Sequence, residues 1–148
     1  MSAPTVELDI PSRLDLVTVA RMVVAAVASC VEALDGDRLD DLRWVTSEAT
    51  TNAIQANLRA LDDGNGIPGR VVIRVAATKD AVRLTVIDAG TGMSPAAQLL
   101  DITHPDRLEV EGGFGVPLMQ MLSSSEVVFT STPEGTTVEL EVERQHEA

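Results

Sequence analysis

Aromatic side chains are almost missing from this 148-residue chain, which has no Tyr, one Trp (Trp44) and two Phe. Stacking on nucleic-acid bases needs several such rings, so that mode of recognition is excluded. The core has to be built from Val, Leu, Ile and Ala instead. Positive charge is scarce too: 11 Lys and Arg stand against 23 Asp and Glu, a net charge of −12. Such a surface repels a phosphate backbone and an anionic membrane, so neither nucleic acid nor a membrane is an expected partner. A nucleotide stays open, because backbone N–H groups and a Mg²⁺ ion bind phosphate locally whatever the overall charge. The acidic surface suits a basic protein partner.

Cys30 is the sole cysteine, which rules out an internal disulfide. Together with the lack of a signal-peptide pattern at the start, this leads to the expectation of a reducing, cytoplasmic setting. Cys30 sits in the apolar string VVAAVASCVEAL with no CxxC partner, and is expected to be a buried structural thiol. The apolar run around it is broken by Arg21 and Glu32 and is too short to span a bilayer. His104 and His146 form no metal-ligand spacing.

What is present is a clear run of periodic segments. Residues 5–10 alternate as a half-buried strand, closed by Pro11 and Ser12. Apolar residues then recur at helical steps from Arg13 to about Leu34, on more than one face, so this helix packs between layers or supplies a protein contact. After Gly36 a second helix runs to about Leu61, with Leu42, Val45, Ala49, Ala53, Ala56 and Ala60 on one stripe and Glu48, Asn52 and Gln55 beside it. The turn-rich DDGNGIPG follows. Segments 70–76 and 81–88 read as an antiparallel hairpin, Ser94 to Leu100 and Val116 to Leu122 as short helices, and 126–130 and 136–143 as two further strands. The order β-α-α-β-β-α-α-β-β gives an α+β fold, a helix layer on a mixed or mostly antiparallel sheet. One domain over residues 5–143 is expected, since no linker or repeat divides the chain.

Three separated strings carry candidate chemistry: SEATTNA (47–53), DAGTGM (88–93) and GGFGVPL (112–118), with GTT (135–137) as a fourth. Asp88 ends a hydrophobic strand, where its carboxylate can accept a hydrogen bond from an exocyclic amine, and Gly90 and Gly92 permit close approach of a ligand. Taken alone, that string is explained more simply by an ordinary Asp-Xaa-Gly turn. Glu48 and Asn52 lie one helical turn apart and can act on one object: an amide oxygen suits Mg²⁺, and a carboxylate can take a proton from a hydroxyl. A solvated polar helix edge is the alternative. Gly112, Gly113 and Gly115 run into a helix start, which favours a polyphosphate, although a flexible loop has the same composition.

Taken together and in this order, the strings resemble the N, G1 and G2 boxes of the GHKL (Bergerat-fold) ATPases. Within that superfamily, SEATTNAIQ, DAGTGM and GGFGVPLMQML are similar to the anti-sigma-factor serine kinases, over roughly residues 5–143. The resemblance implies a two-layer α/β sandwich with helices on one face of the sheet. It implies ATP and Mg²⁺ as cofactors, Asn52 as the Mg²⁺ ligand and Glu48 as general base. It implies Asp88 as the adenine contact with Gly90 and Gly92 shaping its pocket, Gly113 and Gly115 beside the phosphates, and Thr136 supporting the adenine side. The implied partners are a sigma factor and an anti-anti-sigma antagonist protein that is phosphorylated on serine, and a homodimer is a further implication.

The chain departs from the family pattern at two positions. Ala56 stands where a His is frequent, four residues after the N-box Asn, and Glu111 where an Arg is frequent near the G2 glycines. A carboxylate opposes the charge that develops in phosphoryl transfer, where a cation helps. Two functions are therefore expected to compete: an ATP-dependent anti-sigma kinase, and an anti-sigma module that binds ATP or partners without transfer.

Overall fold

The computed structural model describes residues 4–62, 69–89 and 115–144. In chain order these form β1 (Thr5–Pro11), α1 (Val17–Cys30), α2 (Gly36–Asp62), β2 (Arg70–Ala77), β3 (Ala81–Ile87), α3 (Gly115–Leu122), β4 (Val128–Thr132) and β5 (Gly135–Glu143), with a 3₁₀ turn at Leu14–Leu16 before α1. The five strands make one sheet in the order β1-β2-β3-β5-β4, and every neighbouring pair is antiparallel.

The alternating sequence of each strand becomes a two-sided sheet because side chains point to opposite faces in turn. On one face the register aligns Leu8 with Ile73, Ile73 with Val86, Val86 with Val138 and Val138 with Phe129, so an apolar row crosses the sheet. A second row runs Val75, Leu84, Leu140. The helices cover this face: Ala20, Val24 and Ala28 of α1, Leu42, Val45, Ala49, Ala53 and Ile54 of α2, and Val116 and Met119 of α3 join the strand residues in one core. All six residues of the stripe expected on α2 are buried. The core among the described residues is aliphatic apart from the partly buried Phe129 packed against it, as the scarcity of rings requires. The opposite face is polar, with ion pairs such as Arg74 to Glu7 (2.6 Å) and Arg70 to Asp9 (2.6 Å). Exposed pairs of this kind contribute about 0–1 kcal/mol each, so the covered face holds the sheet to the helices.

The first helix stops at Cys30 and does not reach Leu34. Glu32 takes a left-handed conformation (φ 50°), and Ala33 N–H reaches back to Ala28 O (3.1 Å), a closure that ends the ladder one turn early. A left-handed residue with a Cβ is unfavourable, and Arg144 offsets that by donating to the Glu32 and Ala33 carbonyls. Helix α2 then begins under Asp35, whose Oδ1 accepts Arg38 N–H (3.1 Å). The Arg38 side chain ties this helix start to the far ends of α3 and β5, donating to Leu122 O (3.1 Å), Ser124 Oγ (2.9 Å) and Glu143 O (2.8 Å).

Cys30 is exposed, not buried. It lies on the outer side of α1 with Val19, Met22 and Ala26, because only the Ala20–Val24–Ala28 side of that helix meets the core. The apolar character on two faces of α1 therefore leaves one face uncovered among the described residues. No helix there is long and apolar enough to cross a membrane. The short helix expected at Ser94–Leu100 lies outside the described residues.

Candidate functional site

The end of β3 is the most tightly built part of the site. Asp88 follows Ile87 and is 8% exposed. Its N–H donates to Thr136 O (2.9 Å), and Thr136 N–H donates to Asp88 Oδ1 (3.2 Å), which carries the β3–β5 ladder beyond its last regular pair. Thr136 is buried as well, its hydroxyl 3.2 Å from Ser131 Oγ. Gly135 makes this closure possible: at φ +150° any Cβ would stand 2.0 Å from the Asp88 carbonyl oxygen. The clashing atom is backbone and cannot swing aside. Gly135→Ala should therefore lower the unfolding free energy by roughly 2–4 kcal/mol. Urea denaturation of both proteins checks this, and equal midpoints would mean that the close approach is not needed.

A second support comes from α2. Ala89 N–H donates to Asn57 Oδ1 (2.9 Å), and Asn57 is 1% exposed. Its Nδ2 donates to Ser12 Oγ (2.9 Å) and Arg70 O (3.2 Å), while the Ser12 hydroxyl donates to Gly69 O (2.5 Å). In the sequence Ser12 marks only the end of a strand, and Asn57 belongs to none of the candidate strings. The available signal was an amide next to the Ala53–Ala56–Ala60 stripe, since a polar group buried there has to find partners.

Glu48 and Asn52 lie on the half-exposed edge of α2, as the helical wheel predicts. Partial burial raises the Glu48 carboxyl above its ordinary value of 4.5. Beside it, Ser47 Oγ accepts from Arg21 of α1 (3.2 Å). Thr50, on the inner side of the same turn, keeps a buried hydroxyl that has no partner among the described residues. Ala56 is buried. Gly115 is the first residue of α3, which packs on α2 through Val116 and Met119. Gly90, Gly92, Gly113 and Glu111 lie outside the described residues.

Helix α2 thus relates the two halves of the site. It meets the Asp88–Ala89 segment at Asn57; Asn52 comes five residues earlier, about 7.5 Å along the axis, and Glu48 four residues earlier again, about 6 Å. Along the axis of α2 the order is therefore the Asn57 contact to the Asp88 strand end, then the Asn52 amide, then the Glu48 carboxyl. The donor set fits Mg-ATP in kind. Asp88 offers a fixed acceptor to an amine, Asn52 a hard neutral oxygen, and the head of α3 the N–H groups that favour phosphate. Among the described residues no group of three His, Cys, Asp or Glu could hold a metal. Mg²⁺ commonly takes most of its ligands from phosphate and water, a shell to which one amide oxygen at Asn52 could add.

Residues 10–142 match the family described as histidine kinase-like ATPase domain. The chain is 30% identical to the serine-protein kinase RsbW of Bacillus pumilus over 122 residues, covering 79% of this chain and 73% of that protein. It is 37% identical to the anti-sigma F factor of Geobacillus thermodenitrificans over 124 residues, covering 82% and 80%. Among solved structures, the histidine kinase domain of the blue-light activated histidine kinase EL346 from Erythrobacter litoralis matches with a TM-score of 0.53 at 19% identity. That match covers 83% of this chain and 60% of the other, and it shows the fold alone.

Proposed function

The chain belongs to the histidine kinase-like ATPase domain family, and from that premise we propose that it is an ATP-dependent anti-sigma factor that also phosphorylates a serine of an anti-anti-sigma antagonist protein. The relatives named anti-sigma F factor and serine-protein kinase support the pairing of the two activities. The observation that carries the reading is the order along α2: the Asp88 end, then Asn52, then Glu48. Adenine recognition, ion binding and proton removal are needed in that sequence along an extended nucleotide.

In this reading residues 5–143 act as one nucleotide-binding unit in the cytoplasm. Asp88 accepts from the exocyclic amine, with Thr136 holding its Oδ1, and Gly90 and Gly92 line the base. Asn52 gives its amide oxygen to the Mg²⁺ ion, and Gly113 and Gly115 border the phosphates. Bound Mg-ATP supplies the phosphoryl group and offsets the charge on it. Glu48 takes the proton from the attacking serine hydroxyl, a task its raised carboxyl suits because a stronger base accepts the proton more readily. The net charge of −12 fits basic surfaces on protein partners and disfavours nucleic acid. A homodimer is the proposed assembly.

The test has two stages. Calorimetric titration should show binding of ATP and ADP that weakens when Mg²⁺ is removed, and labelled ATP with the antagonist should yield phosphoserine. Absence of nucleotide binding at millimolar concentration would defeat the reading. Stoichiometric binding without phosphoserine after long incubation would leave only the sequestering module, the outcome that Glu111 in place of a basic residue favours.

A further inference from the structure

Asn57 takes no part in the chemistry described so far, yet it grips the segment that carries Asp88. Both ends of its amide are engaged: Oδ1 accepts Ala89 N–H, and the two Nδ2 protons go to Ser12 Oγ and Arg70 O. The orientation is not interchangeable. Turning the amide over would set its NH₂ against the Ala89 N–H and its oxygen against the Arg70 carbonyl. Ser12 reinforces this, because its proton is committed to Gly69 O and it has only lone pairs to offer Asn57. Asp88 is thereby held by β5 through its own N–H and its Oδ1, and by α2 through the next N–H, so that Asn57 sets the backbone from which the Thr136-bound carboxylate projects. Gly69 closes the third side, since a Cβ there would stand 2.8 Å from the Ala89 Cβ.

We propose that Asn57 is a positioning residue for nucleobase selection: by fixing Ala89 N–H it fixes the aim of the Asp88 carboxylate toward the exocyclic amine of adenine. The proposal rests on the adenine-nucleotide reading above. Its physical basis is that hydrogen bonds weaken steeply with misalignment, so a carboxylate left to swing loses strength toward one donor position and gains tolerance toward others. A rigid acceptor discriminates between an amine and a carbonyl at that position. A loose one discriminates less.

The experiment titrates the full chain with Mg-ATP and with Mg-ITP, whose base carries a carbonyl oxygen where adenine carries the amine. Asn57→Ala should weaken ATP binding about tenfold, the loss of roughly one well-placed hydrogen bond, and change ITP binding less than twofold, so that the ATP to ITP ratio narrows. Arg38→Ala, which breaks the staple at the opposite end of α2, should lower the melting temperature and leave the ratio unchanged. A purely structural Asn57 would behave like Arg38, and an unchanged ratio in folded Asn57→Ala overturns the proposal. If Asn57→Ala does not fold, Gly69→Ala presses on Ala89 (2.8 Å) and on the Asn57 amide (3.3 Å) while leaving the Asn57 side chain in place. It should narrow the ratio, and an unaltered ratio there overturns the proposal equally. A wild-type chain that binds neither nucleotide defeats the ATP-site reading itself, a different result from a wild type that binds ATP beside variants that bind it just as selectively.

Discussion

Asp88→Asn is expected to weaken Mg-ATP binding by about thirty- to a hundredfold, the equivalent of roughly 2–3 kcal/mol for a hydrogen bond to a charged group. The direction follows from Thr136. Its N–H demands an acceptor at the Asp88 Oδ1 position, so an Asn side chain has to place its amide oxygen there and its NH₂ where the second carboxylate oxygen stood. That NH₂ meets the adenine amine as donor against donor. The bond to Thr136 survives the substitution, so the β3–β5 closure at this strand end should be kept, and a melting measurement separates a binding defect from a folding defect. Paired calorimetric and melting measurements read both quantities. Affinity within twofold of wild type would remove Asp88 from the nucleotide site.

The parts of this fold that the sequence discloses are those where one periodicity maps onto one neighbour. The hairpin of β2 and β3 is legible because Val71, Ile73 and Val75 and then Val82, Leu84 and Val86 fall at every second position, with Arg74, Arg83 and Thr85 among the residues between them. The α2 stripe is legible for the same reason at a period of 3.6. The end of α1 is not, because Val31, Ala33 and Leu34 carry the apolar periodicity past it. What stops the helix is a left-handed Glu32 secured by Arg144, more than a hundred positions away. Cys30 is misplaced by the same ambiguity: a helix apolar on two faces does not say which face meets the core, and Cys30 falls on the outer one.

The site divides along a similar line. Glu48, Asn52 and Asp88 are expected from motif positions alone, while the groups that hold the Asp88 strand end are long-range contacts. Ser12 and Asn57 are 45 residues apart, and Asn57 and Ala89 are 32 apart. Neither spacing has a local signature, and the Asn57 network exists only once α2 lies across the ends of β2 and β3. Gly135 shows the intermediate case. The turn it belongs to is evident from Pro133-Glu134-Gly135, but its need to be glycine comes from the Asp88 carbonyl on a different strand.

Glu48→Gln should reduce phosphoryl transfer to the antagonist by roughly 10²–10⁴-fold, the usual contribution of a positioned general base, with Mg-ATP affinity preserved. Gln keeps the shape and the half-buried position and removes only the ability to take a proton. The pH dependence sharpens the test. Burial raises the Glu48 carboxyl above 4.5, so the ionised, proton-accepting form grows in as pH rises through a midpoint above that value. Wild-type transfer should rise through this midpoint and level off, and the residual rate of Glu48→Gln should lack that limb. Stability should run in the opposite sense. Because the folded-state value is raised, the carboxyl favours the fold fully only below its unfolded-state value, and this contribution is lost as pH increases through the folded-state value. At neutral pH Glu48→Gln should therefore melt at or above the wild-type temperature, and the advantage should fade in acid. Lower activity in a protein that melts higher is the signature of a group retained for chemistry at some cost to the fold. Unchanged transfer in Glu48→Gln, or a pH limb that persists in the variant, would assign proton removal to another group.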